Sequence, residues 1–146
     1  MADQTTQSIE IAAPADRVMA VISDLPSYPD WADGIKQAEV LSTDADGRPV
    51  QARFVLEKAV VKDEYTLEYD WADDGLSVSW RLLKGQMQKA QNGSYTLSQR
   101  GDRTTVTYTL SVELNIPMIG LLRRKAEKVI IDTALKELRR RVEEGR

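Results

Sequence analysis

Between Ile35 and Leu114 apolar and polar residues alternate with period two over most of the chain; on either side the spacing is helical. "IKQAEVLSTD" reads as a strand turned by "ADG". "RPVQARFVLEK" sets Val50, Ala52, Phe54 and Leu56 against Gln51, Arg53 and Glu57. "VVKDEYTLEYDW" sets Tyr65, Leu67, Tyr69 and Trp71 against Glu64, Thr66, Glu68 and Asp70. After the hairpin signal "DDG", "LSVSWRLL" puts Leu76, Val78, Trp80 and Leu82 on one side. "QMQKAQNGSYTLSQ" and "RTTVTYTLSVEL" form the last pair, joined at "RGD", with Val106, Tyr108, Leu110, Val112 and Leu114 sharing a face. Successive strands with short turns predict an antiparallel meander with one wet face and one dry face.

Before this block, "TTQSIEI" reads as a first strand. "AAPADRVMAVISDL" reads as a short helix: Pro14 suits its first turn, and Val18, Val21 and Ile22 give it one apolar face. Pro26 and Pro29 forbid its continuation, so "PSYPDWA" is one helical turn or a tight loop. After the block, the tail from Ile116 onward is one long helix with Pro117 in its first turn. Ile119, Leu122, Ala126, Val129, Ile130, Thr133 and Ala134 form a broad stripe, and Ile131, Leu135, Leu138 and Val142 widen it. The dry face of the sheet is the surface available to cover it, and Ala126 and Ile130 are expected to face the sheet from consecutive turns.

Composition then narrows the chemistry. The 146 residues contain neither Cys nor His. That removes disulfides, thiolate chemistry, the usual neutral-pH base and the commonest metal ligands, so no metal or cofactor is expected. A net charge of -3 argues against a nucleic-acid partner. No run reaches the length of a membrane span and the N-terminus lacks signal-peptide regions, so a cytoplasmic protein without integral membrane association is expected. Glu57, Glu64, Glu68 and Asp70 should face water, leaving no carboxylate pair for the interior. The basic clusters "RRK" and "RRR" of the tail interleave with Glu127, Asp132, Glu137, Glu143 and Glu144 and read as a solvated, salt-bridged outer face. Attraction to an anionic membrane is the other reading.

The order of elements, together with "IEIAAPADRVMAVISDLPSYPDWADGIKQAEVL", "SVSW", "NGSYTLSQRGDRTTVTYTLSVEL" and the closing helix, resembles the START-like, birch-pollen-allergen-like (SRPBCC) superfamily, and within it the bacterial polyketide cyclase/dehydrase-like branch. The resemblance covers nearly the whole chain as one domain, 1–146. It implies an α+β helix-grip fold, in which a strongly curved seven-stranded antiparallel sheet wraps a long C-terminal helix, with two short helices between strands 1 and 2. It also implies an apolar cavity between sheet and helix. The candidate lining is Trp31, Phe54, Tyr65, Tyr69, Trp80, Tyr95, Tyr108, Ile119, Leu122, Ala126 and Ile130. Tyr28 and Trp31 belong to its wall or rim, or else Trp31 is a plain core anchor. Buried tyrosines each need a hydroxyl partner, which a ligand or ordered water supplies if a cavity exists. Three functions fit: a carrier or sensor of a hydrophobic or amphipathic, lipid-like or polyketide-like molecule; a cyclase, aromatase or dehydratase acting on such a molecule; or an interaction module with a vestigial pocket. The second apolar row on the long helix leaves room for a homodimer beside a monomer.

Overall fold

The computed structural model describes residues 4–58, 61–115 and 120–144, with the backbone alone at 61 and 120–123. Strand β1 (Thr5–Ile11) leads into helix α1 (Ala15–Ser23), a 3-10 turn (Leu25–Ser27) and a single turn of helix, α2 (Tyr28–Trp31). Six strands follow: β2 (Ile35–Thr43), β3 (Pro49–Lys58), β4 (Val61–Trp71), β5 (Ser77–Gly85), β6 (Gln88–Arg100) and β7 (Arg103–Leu114). Helix α3 (Gly120–Glu144) ends the described chain. The sheet runs β1-β7-β6-β5-β4-β3-β2 with every pairing antiparallel. This is the antiparallel meander expected from the alternation, in the seven-stranded helix-grip architecture that the resemblance implies.

The register aligns the aromatic positions across neighbouring strands. Phe54 lies opposite Tyr65, Tyr69 opposite Trp80, Trp80 opposite Gly93 and Tyr95 opposite Tyr108. Register shifts interrupt the β2–β3, β4–β5 and β6–β7 pairings; such irregularities bend a strand and raise its twist, which suits a sheet that curves around a helix. The two prolines of the opening connection do what their fixed φ dictates: each sits in the first turn of a short helical piece, and the chain cannot run on as one helix. Pro14 stands one position earlier than expected, at the N-cap of α1, where it offers no side-chain cap. The side-chain carbonyl of Gln99 caps instead, accepting from Ala15 N at 2.8 Å.

Helix α3 rests chiefly on β1 and β7, with α1 against its far end. Its buried face is Ile131, Leu135, Leu138 and Val142, all at 2% exposure or less. Each such side chain contributes about 1.5–3 kcal/mol of transfer free energy. The expectation for Ala126 and Ile130 therefore needs correction. Ile130 is 47% exposed, Val129 is 58% exposed and Ala126 is exposed. The helix sits over one end of the sheet, so the row that periodicity offers only as a widening of the stripe is the packed one. Leu76 also departs from the dry face: it lies in the turn before β5 and is 37% exposed.

The acids of α3 depart as well. Glu127, in place of the outer face that its sequence neighbours suggest, is 1% exposed. Its carboxylate accepts from Thr5 Oγ1 at 2.8 Å and from Val112 N at 2.7 Å. The pairing of β1 with β7 stops at Leu110, so Val112 N has no β1 partner, and Glu127 supplies one. Glu137 accepts from Asp33 N at 3.0 Å and Glu143 from Ala12 N at 2.9 Å. Near the end of the helix, Arg17 donates to the carbonyl of Val142 at 2.8 Å. These bonds fasten the helix to strand, loop and α1 along its length. Pro117 and Ile119 lie outside the described residues, as does the side chain of Leu122.

Candidate functional site

Because α3 covers only one end of the sheet, the remaining dry face borders open space. A cavity of about 580 Å³ lies between α3, α2 and the strands from β3 to β7. That volume falls within the range of small-molecule sites. Trp31, Phe54, Tyr65, Tyr69, Trp80, Tyr95, Tyr108, Ala126 and Ile130 all line it, so the described residues of the candidate lining lie around one cavity. Tyr28 lines it too. The exposure of Val129 and Ile130, which also line it, places the mouth beside the N-terminal half of α3.

The aromatic wall is a chain of ring contacts. Trp31 meets Tyr28 edge-on at 5.0 Å, Tyr28 meets Phe54 at 6.0 Å and Phe54 stacks on Tyr65 at 5.5 Å. A second group centres on Trp80, with Tyr69 at 5.9 Å, Tyr95 at 5.4 Å and Tyr108 at 5.7 Å. Tyr95 and Tyr108 are themselves 4.6 Å apart. Such pairs hold one another's orientation and contribute about 0.5–1.5 kcal/mol each beyond burial. The connection containing Tyr28 and Trp31 is thus both wall and anchor.

The tyrosine hydroxyls differ in their partners. Tyr28 donates to the carbonyl of Ile22 at 2.5 Å, which locks the start of α2 to the end of α1. Among the described residues the hydroxyls of Tyr65, Tyr69, Tyr95 and Tyr108 have no hydrogen-bond partner, and none of them is sealed from the cavity. Burial pushes all five phenols above the ordinary value of 10.0, with neighbouring tyrosines adding to the effect at Tyr28, Tyr65, Tyr69 and Tyr95. At neutral pH the wall therefore presents neutral phenols.

One polar strip lies beyond the aromatic set that alternation nominates. Asp63, 4% exposed, lines the cavity and accepts from Gln86 N at 2.9 Å, Met87 N at 3.0 Å and Gln88 Nε2 at 3.0 Å. Gln91 Nε2 donates to Gln88 Oε1, and Trp80 Nε1 donates to Gln91 Oε1 at 2.8 Å. Asp63 is in phase with Tyr65 and Leu67, so alternation alone could have placed it inside. Gln88 could not be found that way, because the register shift between Gln88 and Ala90 changes the facing of the strand.

At the mouth, Lys58 Nζ pairs with Asp33 Oδ2 at 2.6 Å, linking the β2 approach to the β3 end. That contact holds the Asp33 carboxyl below its usual range. Of the acids in the lining, Asp33 is thus paired with a lysine, Glu137 takes the Asp33 amide and Asp63 takes three donors. Among the described residues no group of three or more Asp or Glu is placed to hold a metal ion. A second hollow, about 560 Å³, lies on the outer face of the sheet and is lined largely by polar side chains, with the Arg81–Glu68 ion pair at 2.6 Å across it. Its exposed, self-paired charges make it the weaker candidate.

Residues 11–139 match the family model described as "Polyketide cyclase / dehydrase and lipid transport". No curated protein matches the chain. Among solved structures, a START superfamily protein from Mycobacterium smegmatis is 25% identical, covers 98% of this chain and 99% of its own, and superposes with a TM-score of 0.92. The Zhui aromatase/cyclase from Streptomyces sp. R1128 is 16% identical over 98% of this chain and 94% of its own, with a TM-score of 0.81. Ara h 8.0201 is 9% identical over 97% and 98%, with a TM-score of 0.72. The two more distant likenesses establish the fold alone. No described helix is long and apolar enough to cross a membrane. With its match running from the end of β1 deep into α3, this chain belongs to the polyketide cyclase / dehydrase and lipid transport family and is built on the START-like helix-grip fold.

Proposed function

We propose that this protein binds a small hydrophobic or amphipathic molecule in the cavity between the sheet and α3, as a carrier or sensor, with Trp31, Phe54, Tyr65, Tyr69, Trp80, Tyr95, Tyr108, Ala126 and Ile130 among the contacts. The observation that carries this reading is the set of four tyrosine hydroxyls that face a cavity of about 580 Å³ without a partner among the described residues. A packed core satisfies its buried hydroxyls; a binding site leaves them for its ligand. The family description, which includes lipid transport, supports the same class of ligand.

The rival reading is a cyclase or dehydratase, and the aromatase/cyclase neighbour favours it only through shared fold. Against it stands the state of the lining. The acids are engaged, and phenols raised by burial are poor proton donors at neutral pH.

Titration with Nile red tests the proposal. The expected result is one dye per chain, bound in the micromolar range, with blue-shifted emission. Thr133→Trp, at a half-buried position of the lining, should weaken binding tenfold or more with little change in thermal midpoint. No saturable binding to the native protein would sink the reading and leave the interaction module.

A further inference from the structure

The polar strip in the cavity has a direction that its two ends dictate. At one end stands Asp63, a carboxylate that accepts and does not donate. At the other stands the indole N–H of Trp80, which donates and cannot accept. Between them, Gln88 must turn its nitrogen toward Asp63, which turns its oxygen toward Gln91. Gln91 then gives its nitrogen to Gln88 and its oxygen to Trp80. Reversing either amide would set donor against donor at one end. The usual ambiguity of amide orientation is therefore resolved by chemistry.

This direction decides what is left over. Every side-chain oxygen of the strip already accepts a bond, two of them at Asp63 Oδ1. Each of the two amide nitrogens uses one hydrogen and keeps one. A second lone pair on an oxygen goes unfilled at small cost, whereas an unmade buried N–H is costly. The unmet demand of the strip is for acceptors. The tyrosine hydroxyls of the same wall, Tyr95 and Tyr108 beside Trp80, can donate alongside it.

We infer that the Asp63–Gln88–Gln91–Trp80 strip is a specificity element that selects ligands carrying an uncharged acceptor oxygen, of the ketone, ester or quinone kind, on an apolar body. Asp63 is its positioning residue. The inference rests on the proposed function, since it describes what that cavity prefers. It does not require that the ligand react. Asp63→Asn removes the rule that orders the strip. The backbone N–H groups of Gln86 and Met87 still claim an oxygen at position 63, so the new amide nitrogen faces Gln88. Gln88 must then reverse, and Gln91 must reverse after it, setting its nitrogen against Trp80 Nε1.

The test compares acetylnaphthalene with isopropenylnaphthalene, which replaces the carbonyl oxygen by a methylene group of nearly the same shape, and with naphthylethylammonium as the cationic analogue. With the native protein, the ketone is expected to bind about tenfold more tightly than the alkene, although water favours the opposite order, and more tightly than the ammonium ion. The carbonyl stretch of the bound ketone should move to lower frequency than in hexane, as a hydrogen-bonded carbonyl does; this reading needs no variant. In Asp63→Asn the indole N–H of Trp80 and further amide N–H groups lose their acceptors, so the preference for ketone over alkene should be kept or increased while Nile red still binds, and loss of that preference would overturn the inference. A native protein that takes the alkene or the ammonium ion as well as the ketone overturns the inference, and so does a bound carbonyl stretch like that in hexane. Binding of none of the three, with Nile red bound, overturns the inference alone. Failure of Nile red itself overturns the proposed function and this inference together.

Discussion

The indole of Trp80 occupies the space where Gly93 has no side chain: a Cβ built on Gly93 would collide with two indole carbons and come within 2.7 Å of Nε1. The two residues face each other across β5 and β6. A glycine in a strand interior weakens the strand, and here the opposing aromatic covers the gap. Gly93→Ala should therefore displace the indole, break its bond to Gln91 Oε1 and cost about 1–3 kcal/mol. Chemical denaturation, with a changed tryptophan emission in the native baseline, is the check.

Neighbouring isoleucines on α3 should behave differently. Ile131 is fully buried against the sheet end, and Ile130 is 47% exposed beside the cavity mouth. Ile131→Ala is expected to cost about 2–5 kcal/mol and Ile130→Ala less than about 1.5 kcal/mol. Ile130→Ala should instead change the affinity for Nile red. Equal losses in urea melts would show that the helix is rotated from the register described.

Glu127 fastens the half of α3 that carries the cavity wall. Glu127→Ala leaves Val112 N and Thr5 Oγ1 without their acceptor and should cost about 1–3 kcal/mol. The amide of Val112 should lose protection from hydrogen exchange in the variant, while Ile131 and Leu135 amides keep theirs. Uniform loss of protection along the helix would contradict a local role.

High pH should unfold the protein. The buried phenols of Tyr28, Tyr65, Tyr69, Tyr95 and Tyr108 hold their protons more tightly when folded than the ordinary value of 10.0. Above that value the unfolded chain binds fewer protons than the native one, so stability is intact below pH 10.0 and falls as pH rises beyond it. Tyrosinate absorbance should appear together with the loss of helical circular dichroism. Free titration of the tyrosines near their ordinary value, with the fold intact, would show the wall to be wet.

The sheet was legible in the chain because a strand exposes its facing in strict alternation. Tyr65, Leu67, Tyr69 and Trp71 declare a dry side whatever they pack against. The same rule put the strand aromatics of the wall on that side, and Asp63, in phase with them, lay there too. Gln88 was out of reach, since a register shift resets the count and nothing local announces it. The helix was legible only in part. Its apolar stripe spans both Ile130 and Ile131, about 100° apart, and periodicity cannot say which of two apolar neighbours is covered. That choice belongs to the sheet: α3 settles on β1 and β7, and the curvature that carries the other strands away leaves Ile130 bordering open space. Glu127 follows from the same placement, for its value as an acceptor depends on where β1 stops pairing with β7. Residue pattern decides which side chains avoid water; only the docking of helix on sheet decides which of them meet one another and which meet a cavity.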